Sequence, residues 1–245
     1  MSENMRMWIE IIFNITYLIV VWGLVITMVR RQANVAAANA AVAQRTLWAF
    51  ALLALGDTGH VGFRVVAYAL GSLEARPLVF GIPVSLVGIG SLSTAITVTI
   101  FYMLMVDVWR RRFNQPLGWF GWLLLAAGVV RLVFMALPQN QWDQVTPPYA
   151  WSLARNAFLV VQGLGVMALI LRDAVQAKDK TFTWIGIMIA LSYAFYTPVI
   201  LWSAQVPLLG MLMIPKTCAY VGVALLAYQA LYQPRAPQAQ VLQPA

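Results

Sequence analysis

Seven long apolar stretches constrain the fold of this chain more than any other feature. They cover residues 7–29, 46–71, 83–106, 116–137, 150–171, 182–204 and 207–231. A helix that crosses a membrane needs about 20 mostly apolar residues, and all seven stretches reach that length. None alternates polar and apolar residues as the strands of a membrane barrel do. We therefore predict an all-α membrane protein whose seven transmembrane helices form one bundle.

Composition narrows the class of protein further. Of the 245 residues, 62% are hydrophobic and 10% are charged, whereas soluble domains are about a quarter charged. The single cysteine excludes an internal disulfide, and the single histidine argues against a zinc site built from histidines, so we predict no metal site. The bundle should occupy residues 1–232. The Pro-, Gln- and Ala-rich segment 233–245 should form a disordered cytoplasmic tail.

The positive charges predict the orientation of the bundle. Ten of the 16 Lys and Arg residues lie in the tail or in the connections after spans 1, 3 and 5: Arg30, Arg31, Arg45, Arg110, Arg111, Arg112, Arg172, Lys178, Lys180 and Arg235. Only Arg6 and Arg76 lie on the other side. Cytoplasmic loops are enriched in Lys and Arg, so we expect an outer N-terminus, a cytoplasmic C-terminus and a place in a bacterial inner membrane. Attraction to anionic membrane lipids explains the net charge of +8, and we predict no nucleic-acid partner.

Four further cations lie within the predicted spans: Arg64, Arg131, Arg155 and Lys216. A charge at the bilayer centre costs about 2.5–3.5 kcal/mol on insertion scales, so each is a candidate site residue. A rise of about 1.5 Å per residue places all four in the outer half of the bundle. Two carboxylates, Glu10 and Asp57, offset them only in part. We therefore expect either a neutral Lys216 or a basic pocket that holds an anionic small molecule or lipid head group.

The second span carries the most specific pattern. In LALGDTGHVGFRV, Asp57, His60 and Arg64 have the spacing i, i+3 and i+7 and share one helical face. An acid beside an imidazole can form a proton relay or an acid–base pair, which makes Asp57 and His60 the candidate catalytic residues. The alternative is a simple internal ion pair between Asp57 and Arg64. Three glycines in this segment would let neighbouring helices approach closely: Gly56, Gly59 and Gly62.

The last two spans place aromatic residues around a lysine. Tyr220 lies one turn from Lys216, and the sixth span supplies Tyr193 and Tyr196. With the seven-helix topology, this arrangement resembles microbial rhodopsins, whose last helix carries the lysine that binds retinal. That family has an aspartate one turn before the lysine, where this chain has Leu212, and the third span here lacks a carboxylate. These departures weigh against retinal and favour pairing of the lysine with the second-span aspartate or with an anionic ligand. No cofactor is assigned.

Three short segments suggest a second resemblance. GDTGH with the following arginine, RL…PQNQW and PKT together resemble a group of uncharacterised bacterial seven-helix membrane proteins. The resemblance implies a shared intramembrane site and no particular activity.

These patterns leave several functions open. The leading hypothesis is a pocket that binds or transports an anionic small molecule or lipid head group. Its candidate ligand-binding residues are Arg64, Arg131, Lys216, Tyr193, Tyr196, Tyr220, Arg155 and Glu10. The alternatives are an intramembrane, lipid-modifying enzyme that uses Asp57 and His60, a retinal-binding photoreceptor that uses Lys216, and an assembly partner in a larger membrane complex. Membrane lipids are the expected surroundings in every case.

Overall fold

The described residues form seven long helices. A computed structural model describes residues 3–203 and 205–233, so all of the predicted tail beyond residue 233 lies outside them. The helices are α1 (Glu3–Arg31), α2 (Ala40–Ala69), α3 (Leu86–Arg112), α4 (Gly118–Met135), α5 (Tyr149–Gln176), α6 (Lys180–Trp202) and α7 (Met213–Leu231). All seven, α7 together with the residues just before it, are long and apolar enough to cross a membrane. The prediction of an all-α chain with seven such helices is confirmed.

The helices differ from the predicted spans mainly at their ends. α3 continues past residue 106 to Arg112, because basic side chains in a last turn interact favourably with the helix dipole. The seventh span, predicted from residue 207, begins as a 3-10 segment, Pro207–Leu212, before α7. Pro215 lies in the first turn of α7, where its missing N–H removes no helical hydrogen bond. The proline therefore does not interrupt α7.

A short hairpin lies between α2 and α3, where the sequence predicted no strand. Strand β1 (Leu78–Val79) pairs in antiparallel fashion with β2 (Ile82–Pro83). The predicted start of the third span, at residue 83, was therefore too early. α3 begins after Ser85, whose hydroxyl accepts a hydrogen bond from the backbone N–H of Gly88 at 3.1 Å and so caps the helix.

The seven helices close into a ring. Helices that follow each other in the chain pack side by side, and α1 packs against α7. The interior is apolar and includes Phe50, Phe101, Leu124, Val166 and Ile185. Large apolar side chains also cover the outside of the ring, among them Trp8, Ile12, Ile19, Trp119 and Trp122. A surface of this kind suits a lipid environment, in which apolar groups need no burial against protein.

Ion pairs join α2, α3 and the α5–α6 connection at one end of the bundle, which we call the basic end. The carboxylate of Asp107 binds three guanidinium groups at 2.8–3.0 Å: Arg45, Arg110 and Arg111. Arg112 pairs with Asp179 at 2.7 Å. A groove of about 460 Å³ opens beside this second pair, between residues 112–113 and 177–181. The described cations after α1, α3 and α5 therefore share one end of the ring, as their sequence positions predicted.

The opposite end, which we call the amino end, holds the start of α1, the hairpin and the connection between α4 and α5. Arg76, beside the hairpin, lies 3.9 Å from Asp143 in the α4–α5 connection. The hydroxyl of Tyr149, at the start of α5, donates to the carbonyl of Leu201, near the end of α6, at 3.2 Å. The four cations predicted inside the bundle all lie in the halves of their helices nearer this end.

Small residues bring α2 and α3 into close contact. A Cβ atom added to Gly56 would lie 1.8 Å from Thr97 Oγ1 and 3.1 Å from Thr94 Cα. A Cβ atom on Gly90 of α3 would meet the His60 backbone at 3.0 Å. Two helices approach this closely only where one presents a glycine. The contact sets the distance between Asp57 on α2 and the hydroxyl side chains of α3.

We predict that Gly56→Ala destabilises the bundle and that Gly62→Ala, on the same helix, does not. A Cβ on Gly62 would meet nothing within 4 Å, and alanine favours a helix over glycine by about 1 kcal/mol. At Gly56 the overlap with α3 should outweigh that gain and cost about 1–3 kcal/mol. Thermal unfolding in detergent measures both variants. Equal midpoints for the two would contradict the close α2–α3 contact.

Candidate functional site

Asp57 is held by hydroxyl groups of two neighbouring helices. Tyr17 of α1 donates to Asp57 Oδ2 at 2.5 Å, and Thr94 of α3 donates to Oδ1 at 2.7 Å. Both carboxylate oxygens thus accept a hydrogen bond from a neutral donor. Within the described residues, Asp57 forms no ion pair with Arg64, so the simple ion-pair interpretation was wrong. Asp57 therefore joins α1, α2 and α3 through its two hydrogen bonds.

Lys216 lies between two aromatic rings. Its Nζ atom is 4.6 Å from the ring centre of Tyr196 and 5.4 Å from that of Tyr220. Among residues 3–203 and 205–233, Nζ forms no hydrogen bond and no ion pair, so the direct pairing with Asp57 that the sequence favoured does not occur. The face of an aromatic ring stabilises an ammonium group by about 2 kcal/mol or more when water is excluded, but it supplies no negative charge as a partner.

Tyrosines connect this lysine to the centre of the bundle. The hydroxyls of Tyr220 and Tyr102 lie 2.5 Å apart. Tyr193 donates to the carbonyl of Leu159 at 2.9 Å. Tyr196 donates to Asn156 Oδ1 at 3.1 Å, which fixes one of the two rings that contact Lys216. Two of the three predicted tyrosines, Tyr196 and Tyr220, therefore contact the lysine, and hydrogen bonds join all three to α3 or α5.

His60 lies among the charged side chains of the site. It lies about one helical turn from Asp57 and from Arg64, on the same side of α2. Its Nδ1 atom is buried and has no hydrogen-bond partner among the described residues. A buried polar atom without a partner is uncommon and costs free energy. His60 is therefore the group of this site with an unused hydrogen-bonding position.

Arg64 and Glu10 line one narrow cleft between α1 and α2, together with Asn14, Val61 and Tyr68. Arg64 forms no hydrogen bond or ion pair with the residues that the structure describes. Glu10 lines the α1 wall of the cleft and Arg64 lines the α2 wall. Both residues lie toward the amino end of their helices, as the sequence predicted. Both residues thus belong to the same half of the bundle as Asp57 and His60.

Arg131 is bound entirely within the protein. The side chain is 2% exposed. Its Nε donates to the carbonyl of Arg155 on α5 at 2.8 Å, and its Nη1 donates to the carbonyl of Ala95 at 2.8 Å and to the hydroxyl of Thr99, both on α3. A planar guanidinium can reach acceptors on two helices at once. Arg131 therefore links α4 to α3 and α5, a role that its sequence position did not indicate.

Arg155 lies against the aromatic ring of Trp142. Its guanidinium carbon is 4.4 Å from the ring centre, and its Nη1 is 3.4 Å from Asn140 Oδ1. Asn140 is buried, and its side-chain amide donates hydrogen bonds to the carbonyls of Phe134 and Leu137, at and just after the end of α4. These contacts hold the α4–α5 connection against the bundle. Arg155 thus joins the start of α5 to the α4–α5 connection at the amino end.

The sequence missed the hydroxyl groups that complete the site. Tyr17, Thr94, Thr99 and Tyr102 each bind a predicted site residue, yet each lies on a different helix from its partner. Their only signal was a polar atom inside an apolar span. Among the described residues, no group of three or more His, Cys, Asp or Glu side chains could hold a metal ion.

We predict that Arg131→Lys lowers the free energy of unfolding by roughly 2–3 kcal/mol. One ammonium cannot reach acceptors on α3 and α5 together, and a hydrogen bond to a charged group contributes about 1.5–3 kcal/mol. The control is Arg64→Lys, which removes no hydrogen bond that the structure shows. Thermal unfolding in detergent should separate the two variants, and an unchanged midpoint for Arg131→Lys would refute its linking role.

Comparison with known proteins leaves the site to be interpreted from its own chemistry. No family model, no curated protein and no solved structure matches the chain. The distances, burial and charges described above are therefore the basis for any assignment of function.

Proposed function

We propose that the protein binds an anionic small molecule or a lipid head group in the half of the bundle nearer the amino end. The observation that carries the proposal is the position of Lys216 Nζ, which contacts two tyrosine rings and has no hydrogen bond or ion pair with the described residues. A buried charge must be paired or lose its proton. An anion from outside the chain would pair with Lys216 directly.

The other cations divide into two roles under this proposal. Arg64 lines a cleft on the same side as His60 and is free of internal hydrogen bonds among the described residues, so it is the second charged contact. Arg131 and Arg155 donate to groups of the chain itself. We propose that they hold α3, α4 and α5 together around the site and do not contact the anion directly.

Asp57 and His60 would set the charge balance when the anion binds. Asp57 is held in one position by hydrogen bonds from Tyr17 and Thr94. The unpartnered Nδ1 of His60 can accept a proton or donate a hydrogen bond as the ligand enters. The helices place four basic side chains in this half of the bundle (Arg64, Arg131, Arg155 and Lys216) against two carboxyl groups (Glu10 and Asp57), and this excess of basic groups favours an anion.

The basic end supports a proposal for the orientation and location of the protein. We propose that this end faces the cytoplasm of a bacterial cell and that the chain resides in the inner membrane. Its concentration of arginines matches the excess of positive charge on cytoplasmic loops. The amino end, and with it the Lys216 site, would then open toward the outside. The three segments noted above would belong to a bacterial group that shares this site.

A second candidate function is a lipid-modifying enzyme, and the His60 imidazole favours it. A buried imidazole with one unused nitrogen, close to a fixed carboxylate, is an arrangement that general acid–base catalysis uses. The described residues around it include no serine, cysteine or threonine hydroxyl placed on the imidazole as a nucleophile. We therefore rank binding above catalysis, and retinal attachment to Lys216 below both.

We predict that the protein purified in mild detergent carries an anionic molecule that native mass spectrometry detects. Lys216→Met should lower its occupancy at least roughly tenfold, because losing one desolvated charge contact costs about 2 kcal/mol or more. The matched control is Lys178→Met at the basic end, which should leave occupancy unchanged. Extraction of the bound species then identifies its chemical class.

Other results would point elsewhere. An empty wild-type protein, or equal occupancy in both lysine variants, would overturn the binding proposal. A bound lipid that is chemically altered in the wild type but intact in His60→Ala would establish the enzyme instead. Visible absorbance after addition of retinal, lost in Lys216→Met, would establish the photoreceptor.

A further inference from the structure

The hairpin at the amino end has an apolar, exposed tip. Leu78 is 72% exposed, Phe80 is 100% exposed and Ile82 is 65% exposed. The register pairs Leu78 with Pro83, which places these two side chains on one face of the hairpin and Ile82 on the other. Phe80 lies at the turn between the strands. Apolar side chains therefore cover the tip and both faces.

The turn itself does not account for Phe80. Phe80 has φ 51° and Gly81 has φ 81°, the signs of a type I′ turn, which requires positive φ at both central residues. Asn, Asp and Gly are favoured at the first of these positions, and bulky side chains rarely adopt this conformation. A smaller polar residue would suit the turn better. The turn conformation therefore does not explain why a phenylalanine occupies this position, and we look for a contact that its exposed ring makes with groups outside the hairpin.

Charged residues are confined to the base of the hairpin. Glu74 and Arg76 precede β1, and Arg76 pairs with Asp143 of the α4–α5 connection. At the end of α2, which leads into this connection, Val65, Val66 and Leu70 are exposed. Exposed apolar side chains thus occur at both the end of α2 and the hairpin tip, whereas the described charges of the connection lie before β1.

We propose that the hairpin inserts into the membrane interface at the amino end, with Phe80 among the lipid chains just below the head groups. Lipid is the occupant that fits an apolar tip with two apolar faces, because lipid chains surround the hairpin on all sides. A protein partner would need only one apolar face and would leave the other in water. The hairpin therefore anchors the α2–α3 connection to the bilayer.

Spin labelling in vesicles of phosphatidylethanolamine and phosphatidylglycerol tests the proposal. Cysteines replace Leu78, Phe80 or Ile82 one at a time in a full-length Cys218→Ser background, which removes the free cysteine that the structure shows to be exposed. Power saturation compares collisions of each nitroxide with oxygen, which partitions into lipid, and with a water-soluble nickel complex. Ser72→Cys, exposed in the same connection, is the water reference, and Leu55→Cys, exposed on α2, is the lipid reference.

We expect all three hairpin labels to collide more with oxygen than with nickel, with depths between those of the two references. Labels as accessible to nickel as Ser72→Cys would show a hairpin in water and overturn the proposal. An immobilised label on one face with a nickel-accessible label on the other would show a protein partner and overturn it as well. The unlabelled variants' thermal midpoints check that each one folds, and the three positions give independent readings.

Discussion

A basic side chain inside an apolar helix bundle needs an opposite charge, hydrogen-bond acceptors or an aromatic face as its partner. Three basic side chains of this protein have three different sets of partners. Arg131 uses carbonyl and hydroxyl oxygens of two other helices. Arg155 uses an aromatic ring and a buried amide. Lys216 has only the faces of two tyrosines among the described residues. The first two side chains donate hydrogen bonds to groups of the chain itself and hold helices together. The third has no hydrogen bond or ion pair among the described residues, and the proposed function depends on that difference.

The close contact of α2 with α3 determines the rest of the site. Gly56 lets the helices approach, and the approach brings Thr94 onto the carboxylate of Asp57. Tyr17 reaches the same carboxylate from α1. A larger residue at Gly56 would separate these groups, because interiors of this density do not absorb an added methyl group freely. The site is therefore formed by helix packing as much as by its polar residues.

The sequence predicted what depends on one helix at a time. The seven spans, the depth of the four cations and the common face of Asp57 and His60 all follow from apolar length and the helical period. It could not predict contacts that depend on the order and rotation of helices in the ring. For this reason it did not predict that the partners of Arg131 come from α3 and α5. It also did not predict that Lys216 contacts tyrosines and forms no ion pair with Asp57. The hairpin was missed because its residues, PLVFGIPV, are as apolar as a span.

The most direct test is a magic-angle spinning NMR measurement on the protein in lipid, with ¹⁵N-labelled lysine and ¹³Cγ-labelled aspartate. The chain has three lysines, Lys178, Lys180 and Lys216, so the Lys216→Met variant assigns the Nζ signal of Lys216. We predict the shift of a charged ammonium, with no dipolar contact to the Asp57 carboxylate carbon at ion-pair range. Strong coupling between Lys216 Nζ and Asp57 Cγ, or a neutral amine, would contradict the account, since the lysine would then need no external anion.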